Sequence, residues 1–319
     1  MVSESVPPRG GQDVRVCIVG CGAIGSLFAA HLAQVEGVEV WAYDVVEAHV
    51  AAVNRNGLRL TGNADLLGKV SARTNSSEIA PCEFGIVATK SLYTRAAIES
   101  TAHLFEDAAV ASVQNGVGNE EVIAEYVPRV IRGTTFPAGH LVEPGVVNMD
   151  TGGDTWLGPF EPKPASIEEV TQLAAAITAG GMNTKALEDA RGAQWTKLIF
   201  NAATNPVGAL TRLTHGRVCE LPGTRALVSG LVAEGVAVAE SLGIKLDSDP
   251  DELVDHAAKV AYEHRASMLQ DVLAERVTEV EAMNGGIVTF GAQHGIPTPL
   301  NEAIAALIKG LEHSWTQPQ

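Results

Sequence analysis

Lys197, Asn201 and Asn205 recur at intervals of four in Trp195-Thr196-Lys197-Leu198-Ile199-Phe200-Asn201-Ala202-Ala203-Thr204-Asn205-Pro206. On a helix that spacing lines an ammonium and two amides along one face of an otherwise apolar segment. Such a face cannot be buried without partners. The partners are either protein groups, giving an ion pair and two satisfied amides, or a polar ligand. Toward a ligand, the lysine can protonate a developing alkoxide as a general acid, and the amides can orient a carbonyl or hydroxyl oxygen without adding charge. Farther on, Ser267 opens Ser267-Met268-Leu269-Gln270-Asp271, and Thr278-Glu279-Val280-Glu281-Ala282-Met283-Asn284-Gly285 follows. A single long helix from about Ser267 to Gly295 would put Glu279, twelve residues on, at an azimuth similar to that of Ser267. A solvated surface carboxylate is the other reading of Glu279.

A second group of residues binds rather than reacts. Arg15-Val16-Cys17-Ile18-Val19 runs into Gly20-Cys21-Gly22-Ala23-Ile24-Gly25 and then into Ser26-Leu27-Phe28-Ala29-Ala30-His31-Leu32. An apolar run, a G-x-G-x-x-G turn and a helical pattern, in that order, form the strand-turn-helix context of a dinucleotide site. Gly20 suits the tight turn, Gly22 the close approach of a pyrophosphate, and Gly25 the packing of helix on strand. The helix N-terminus adds unpaired N–H groups and partial positive charge, so Cys21, Ala23 and Ile24 join the glycines as cofactor contacts. The Cys21 thiol is expected to pack rather than react.

The next apolar run, Val38 to Tyr43, closes at Asp44. A carboxylate there accepts hydrogen bonds from both adenosine ribose hydroxyls and repels a 2′-phosphate. No arginine or lysine follows until Arg55, so NAD(H) is expected in preference to NADP(H). Capping of the helix that starts near Val45-Val46-Glu47 is the alternative role for Asp44.

These elements sit in a chain of 319 residues, enough for two domains with sizeable cores. Hydrophobic residues make up 46% and charged ones 19%, which fits a folded soluble protein. The apolar runs are too short to cross a membrane. A net charge of −16 argues against nucleic acid or an anionic membrane as partner, yet allows a small anion held by local cations. Cys17, Cys21, Cys82 and Cys219 show no metal-ligand or CxxC spacing, so no metal is expected, and reduced thiols in the cytoplasm are. Residues 1–13 are polar and rich in Pro and Gly and are expected to form a flexible leader, with no export signal.

The run at 57–60 reads as a short strand candidate and the alternating run at 69–74 as a half-buried strand, while 84–90 and 108–113 read as central strands of a doubly wound parallel sheet, the last ending at Gln114-Asn115-Gly116-Val117-Gly118. Short runs at 130–136, 139–142, 146–149 and 155–157 read as an antiparallel extension of that sheet, with a helix at 166–179 and a last strand at 183–187. Beyond Asp189 only helical patterns persist, at 190–209, 224–242, 250–261, 267–295 and 300–314. The expected fold is therefore α/β: a Rossmann-type dinucleotide-binding domain over 14–188, then an all-α domain over 189–319.

GCGAIG, QNGVGN, K-x-x-x-N-x-x-x-N-P and S-M-L-Q-D…T-E-x-E-x-x-N-G, in this order, resemble the ketopantoate reductase (2-dehydropantoate 2-reductase) family from Val14 to about Leu311. The first motif is shared by all Rossmann proteins, and the last two are specific to the family. The resemblance implies a cytoplasmic, homodimeric enzyme that passes hydride from a nicotinamide to the C2 carbonyl of a small anionic 2-oxo acid. It implies Lys197 as proton donor, Asn201 and Asn205 on the substrate's oxygens, and Ser267 on its carboxylate. It places Glu279 by the lysine and the nicotinamide ribose, Asn115 where cofactor and substrate meet, and Lys90 and Ala138 along the cofactor. Two departures stand out. Members that use the phosphorylated cofactor usually carry an arginine soon after the second strand, where this chain has Asp44. His215 and His264 replace two asparagines that commonly contact substrate, either as neutral hydrogen-bonding equivalents or for a substrate with a different tail. The alternatives are a related dehydrogenase acting on another hydroxy acid or an imine, and a nucleotide sensor without turnover.

Overall fold

The computed structural model describes residues 14–316. The expected leader, 1–13, lies outside the described residues. The chain divides into two compact units: residues up to Gln114 together with Asn119–Ala190, and Asn115–Gly118 together with Arg191 onward. The sequence placed that division at 188–189 and gave all of 14–188 to the first unit. The structure instead moves the boundary by two residues and assigns Asn115–Gly118 to the second.

The first unit alternates strand and helix: β1 (Val14–Val19), α1 (Ala23–Leu32), β2 (Val38–Tyr43), α2 (Glu47–Asn56), β3 (Leu58–Gly62), β4 (Leu66–Gly68), β5 (Ser71–Arg73), β6 (Phe84–Val87), α3 (Thr94–Thr101), β7 (Ala109–Ser112) and α4 (Asn119–Ala124). It continues with β8 (Arg129–Thr135), β9 (Ala138–Glu143), β10 (Val146–Thr151), β11 (Thr155–Pro159), α5 (Ile167–Ala179) and β12 (Thr184–Ala186). Eight strands form the main sheet in the order β12-β11-β8-β7-β6-β1-β2-β5. All its neighbours pair in parallel except β11 on β8. Side chains alternate between its two faces, as the period of a strand requires. Val16 and Ile18 of β1 pack with Leu27, Phe28, Leu173 and Ile177 on one side. Cys17 and Val19 pack with Ile98, Phe105 and Ile123 on the other. Helix α5 starts on a capping box in which Ser166 and Glu169 satisfy each other's backbone N–H groups.

The runs at 139–142 and 146–149 do not extend this sheet. They are β9 and β10, which join β3 and β4 in a separate sheet of order β4-β3-β10-β9, with β10 parallel to β3. Leu58, Leu60, Val147 and Met149 of this sheet share a core with α1. Alternation in a sequence predicts a half-buried strand but not which edge it joins. Here α1 offers a second apolar surface, and the small sheet covers it.

The second unit is helical: α6 (Arg191–Thr211), α7 (His215–Glu220), α8 (Pro222–Ser241), α9 (Pro250–Val260), α10 (Ser267–Leu273), α11 (Gly286–His294) and α12 (Pro299–Ser314). Its core is built from Trp195, Leu198, Ile199, Val228, Leu231, Met268, Met283, Ile287 and Ile308 among others. The expected helix over 267–295 is broken. α10 stops where the N–H of Arg276 bonds the carbonyl of Asp271 and that of Glu275 bonds Val272, with Glu275 left-handed at φ 49°. That is a Schellman stop with glutamate where glycine is usual, and so it left no signal in the sequence. A stretch without regular structure follows, and then a π-helical turn, Glu281–Gly285, leads into α11. No helix of the described residues is long and apolar enough to cross a membrane.

Candidate active site

In the first unit the glycine turn connects β1 to α1. Gly20 has φ +90° and its N–H continues the sheet by bonding the Tyr43 carbonyl at 2.8 Å. A Cβ on Gly25 would lie 2.0 Å from the Gly20 carbonyl oxygen, whereas one on Gly22 would meet no protein atom within 4 Å. Gly25 therefore serves the fold, and Gly22 leaves space beside the backbone. Gly22 also begins α1 without a side-chain cap or an acidic residue in the first turn, so its Ala23 and Ile24 end is open to an anion. The Cys21 thiol is buried; burial pushes its pKa up to about 12, so it stays protonated and packs against Ser26.

Asp44 does two things at once. Its Oδ2 accepts the Cys21 N–H at 2.8 Å, and its Oδ1 accepts the Val46 N–H at 2.9 Å. The second contact is a turn closure before α2 of the kind the sequence allowed. The first ties the carboxylate to the glycine turn. The sequence missed Arg73, which the β2–β5 pairing sets opposite Tyr43. Its guanidinium lies over the Trp41 ring at 5.1 Å and pairs with Glu78 at 3.3 Å. Strand pairing thus brings the Arg73 backbone beside Asp44, whose N–H bonds the Arg73 carbonyl at 3.1 Å. Lys90 precedes the short helical turn Ser91–Tyr93 after β6, and Ala138 is the first residue of β9; both are half-buried.

In the second unit Lys197, Asn115 and Glu279 form one cluster. Lys197 Nζ donates to Asn115 Oδ1 at 2.8 Å, and Asn115 Nδ2 donates to Glu279 Oε2 at 3.2 Å. Asn115 belongs to the short segment whose Val117 N–H bonds the Ala282 carbonyl at 3.0 Å, just past Glu279. Burial lowers the Lys197 pKa from the usual 10.5 to about 8, with the Glu279 carboxylate opposing that fall. Asn201 lies one turn along α6, half-buried, and its amide has no partner among the described residues. Asn205, a further turn on, is buried with its Nδ2 3.9 Å from Met283 Sδ.

The other proposed substrate contacts are placed less directly. Ser267 is exposed at the start of α10, and the break after that helix removes the shared azimuth with Glu279. The His215 N–H bonds the His264 carbonyl at 3.0 Å, which links the two histidines through backbone. The His215 ring is buried 5.5 Å from the Phe200 ring, and its Nε2 lies 3.4 Å from the Val254 carbonyl. Burial pushes its pKa down, which keeps it neutral. His264 is half-buried.

Comparison with known proteins identifies the family. Residues 16–162 match the family profile "Ketopantoate reductase PanE/ApbA", and residues 189–312 match "Ketopantoate reductase PanE/ApbA C terminal". The 2-dehydropantoate 2-reductase of Pyrococcus horikoshii is 34% identical over 94% of this chain and 98% of its own. That of Halobacterium salinarum is 31% identical over 93% and 98%. A PanE/ApbA family ketopantoate reductase from Ralstonia eutropha superposes with a TM-score of 0.86 at 30% identity, covering 95% of this chain and all of that one. A D-mandelate dehydrogenase solved with NADH and anilino(oxo)acetate shares the fold, with a TM-score of 0.86 at 24% identity. The chain belongs to the ketopantoate reductase family of oxidoreductases.

Proposed function

We propose that this chain reduces the C2 carbonyl of a small anionic 2-oxo acid, with ketopantoate the first candidate, and that it prefers NADH to NADPH. The nicotinamide supplies the hydride. The residues fit such a cofactor: Gly22 leaves room against the backbone, the α1 N-terminus is open, and the Asp44 carboxylate stands beside the turn. Lys197 gives its proton to the carbonyl oxygen as negative charge develops there. That charge is absent from the bound ground state, so the ammonium favours the transition state over the substrate. A lysine titrating near 8 is still charged at neutral pH and releases its proton more readily than one at 10.5. Glu279 and Asn115 hold the ammonium, while Asn201 and Asn205 orient the substrate's oxygens, with Ser267 on its carboxylate. His215 and His264 shape the pocket for the substrate's tail.

The observation that carries this reading is the Lys197–Asn115–Glu279 cluster beside the unpartnered amide of Asn201. Arg73 favours a second reading of the cofactor: released from Glu78, its guanidinium would meet a 2′-phosphate. Oxidation of NADH and of NADPH, followed by the loss of reduced-nicotinamide absorbance against a panel of 2-oxo acids, tests both parts. No turnover with any 2-oxo acid would sink the reaction, and NADPH preferred by about tenfold would sink the cofactor assignment. A homodimer in the cytoplasm completes the reading on family likeness, and light scattering on the purified protein checks the assembly.

A further inference from the structure

Helix α6 passes through a proline. Pro206 has no N–H, so the carbonyl four residues back, on Ala202, loses the donor an unbroken helix would give it. Ala202 is 1% exposed, so water does not replace that donor. Asn284 does: its Nδ2 donates to the Ala202 carbonyl at 2.8 Å. The same nitrogen gives its other hydrogen to Asn301 Oδ1 at 2.9 Å. Asn301 Nδ2 in turn donates to Glu234 Oε2 at 2.8 Å, and the Glu234 carboxylate accepts the N–H groups of Leu300 and Asn301 at the start of α12. Asn284 and Asn301 are both fully buried. Asn284 sits in the π-helical turn Glu281–Gly285, an irregularity that recurs at functional sites.

The position of the repaired gap matters. Ala202 follows Asn201 and Pro206 follows Asn205, so the gap lies between the two amides assigned to the substrate. We propose that Asn284 is a positioning residue: it replaces the backbone donor that Pro206 removes and so fixes Asn201 and Asn205 relative to Lys197. Its kinetic consequence rests on the function proposed above; its effect on α6 does not. Both hydrogens of the amide face acceptors, so the isosteric aspartate would set oxygen against oxygen.

Pro206→Ala supplies an N–H that can reach the Ala202 carbonyl, which makes the proposal testable as a cycle of wild type, Asn284→Asp, Pro206→Ala and the double variant. Asn284→Asp is expected to speed hydrogen exchange in the second half of α6 and to raise KM for the 2-oxo acid about tenfold, with NADH affinity within about twofold. In the Pro206→Ala background both effects should shrink by about half or more. Unchanged α6 exchange in Asn284→Asp, or equal effects in the two backgrounds, would overturn the proposal. If Asn284→Asp does not fold, Asn284→Ala runs the same cycle through Tm, and an equal drop with and without Pro206 overturns it. If the wild type shows no reductase activity, the exchange and Tm cycles still decide the role of Asn284, and only the proposed function fails.

Discussion

Raising the pH should remove the proton that Lys197 is proposed to donate, and at an unusually low pH for a lysine. With a pKa of about 8, the ammonium is about nine-tenths charged at pH 7 and about one-tenth charged at pH 9. The kcat/KM for carbonyl reduction, which reports groups of the free enzyme, should therefore fall about tenfold over that interval. A lysine at its usual 10.5 would stay almost wholly charged throughout. Glu279 supplies a second test through the sign of its effect. Its carboxylate holds the lysine's pKa up against burial, so Glu279→Gln should move the falling limb to lower pH. Lys197→Ala should lower kcat by about 10²–10⁴-fold, the range for a lost general acid, and should abolish the limb. The assay is initial-rate NADH oxidation at limiting substrate from pH 6.5 to 10 (steps of about half a unit resolve one titration). A kcat/KM flat to pH 9.5, or a limb that survives in a folded Lys197→Ala, would refute the argument.

The glycine turn separates fold from ligand. Gly25→Ala should lower Tm sharply, because its Cβ meets the Gly20 carbonyl, whereas Gly22→Ala should keep Tm and weaken NADH binding measured by titration calorimetry. Asp44→Ala combined with Val45→Arg should narrow or reverse the NADH preference, read as the ratio of kcat/KM for the two cofactors. Changing His215 and His264 together to asparagine should shift the substrate profile toward ketopantoate without altering NADH affinity. An unchanged profile would place the histidines outside the pocket.

Much of this was legible in the residues because it is local. The β1–turn–α1 unit, the acid at the end of β2 and the polar face of α6 each follow from spacing within about one or two helical turns. What escaped is non-local or lacks a sequence marker. Arg73 comes next to Tyr43 through strand pairing, which no window along the chain reveals. The small sheet joins Arg59 to Val146 for the same reason. The end of α10 escaped because glutamate, not glycine, takes the left-handed position. Pro206 could be placed inside a helix from its apolar surroundings, but not the Asn284 amide that makes a helix there tolerable.

The assignment of Asn115–Gly118 to the helical unit bears on how the protein can be taken apart. A single cut at residue 190 would look like a clean division into modules, yet the fragment from Arg191 onward would lack the Asn115 acceptor for Lys197 and the Val117 tie to Ala282. Its lysine would keep one neighbour of the cluster, Glu279, and lose the amide that joins the two. Grafting the helical unit onto another nucleotide-binding domain therefore requires carrying four residues from the end of a strand more than seventy positions upstream. The heritable unit of this site is discontinuous, and recombination at the apparent domain boundary would break it.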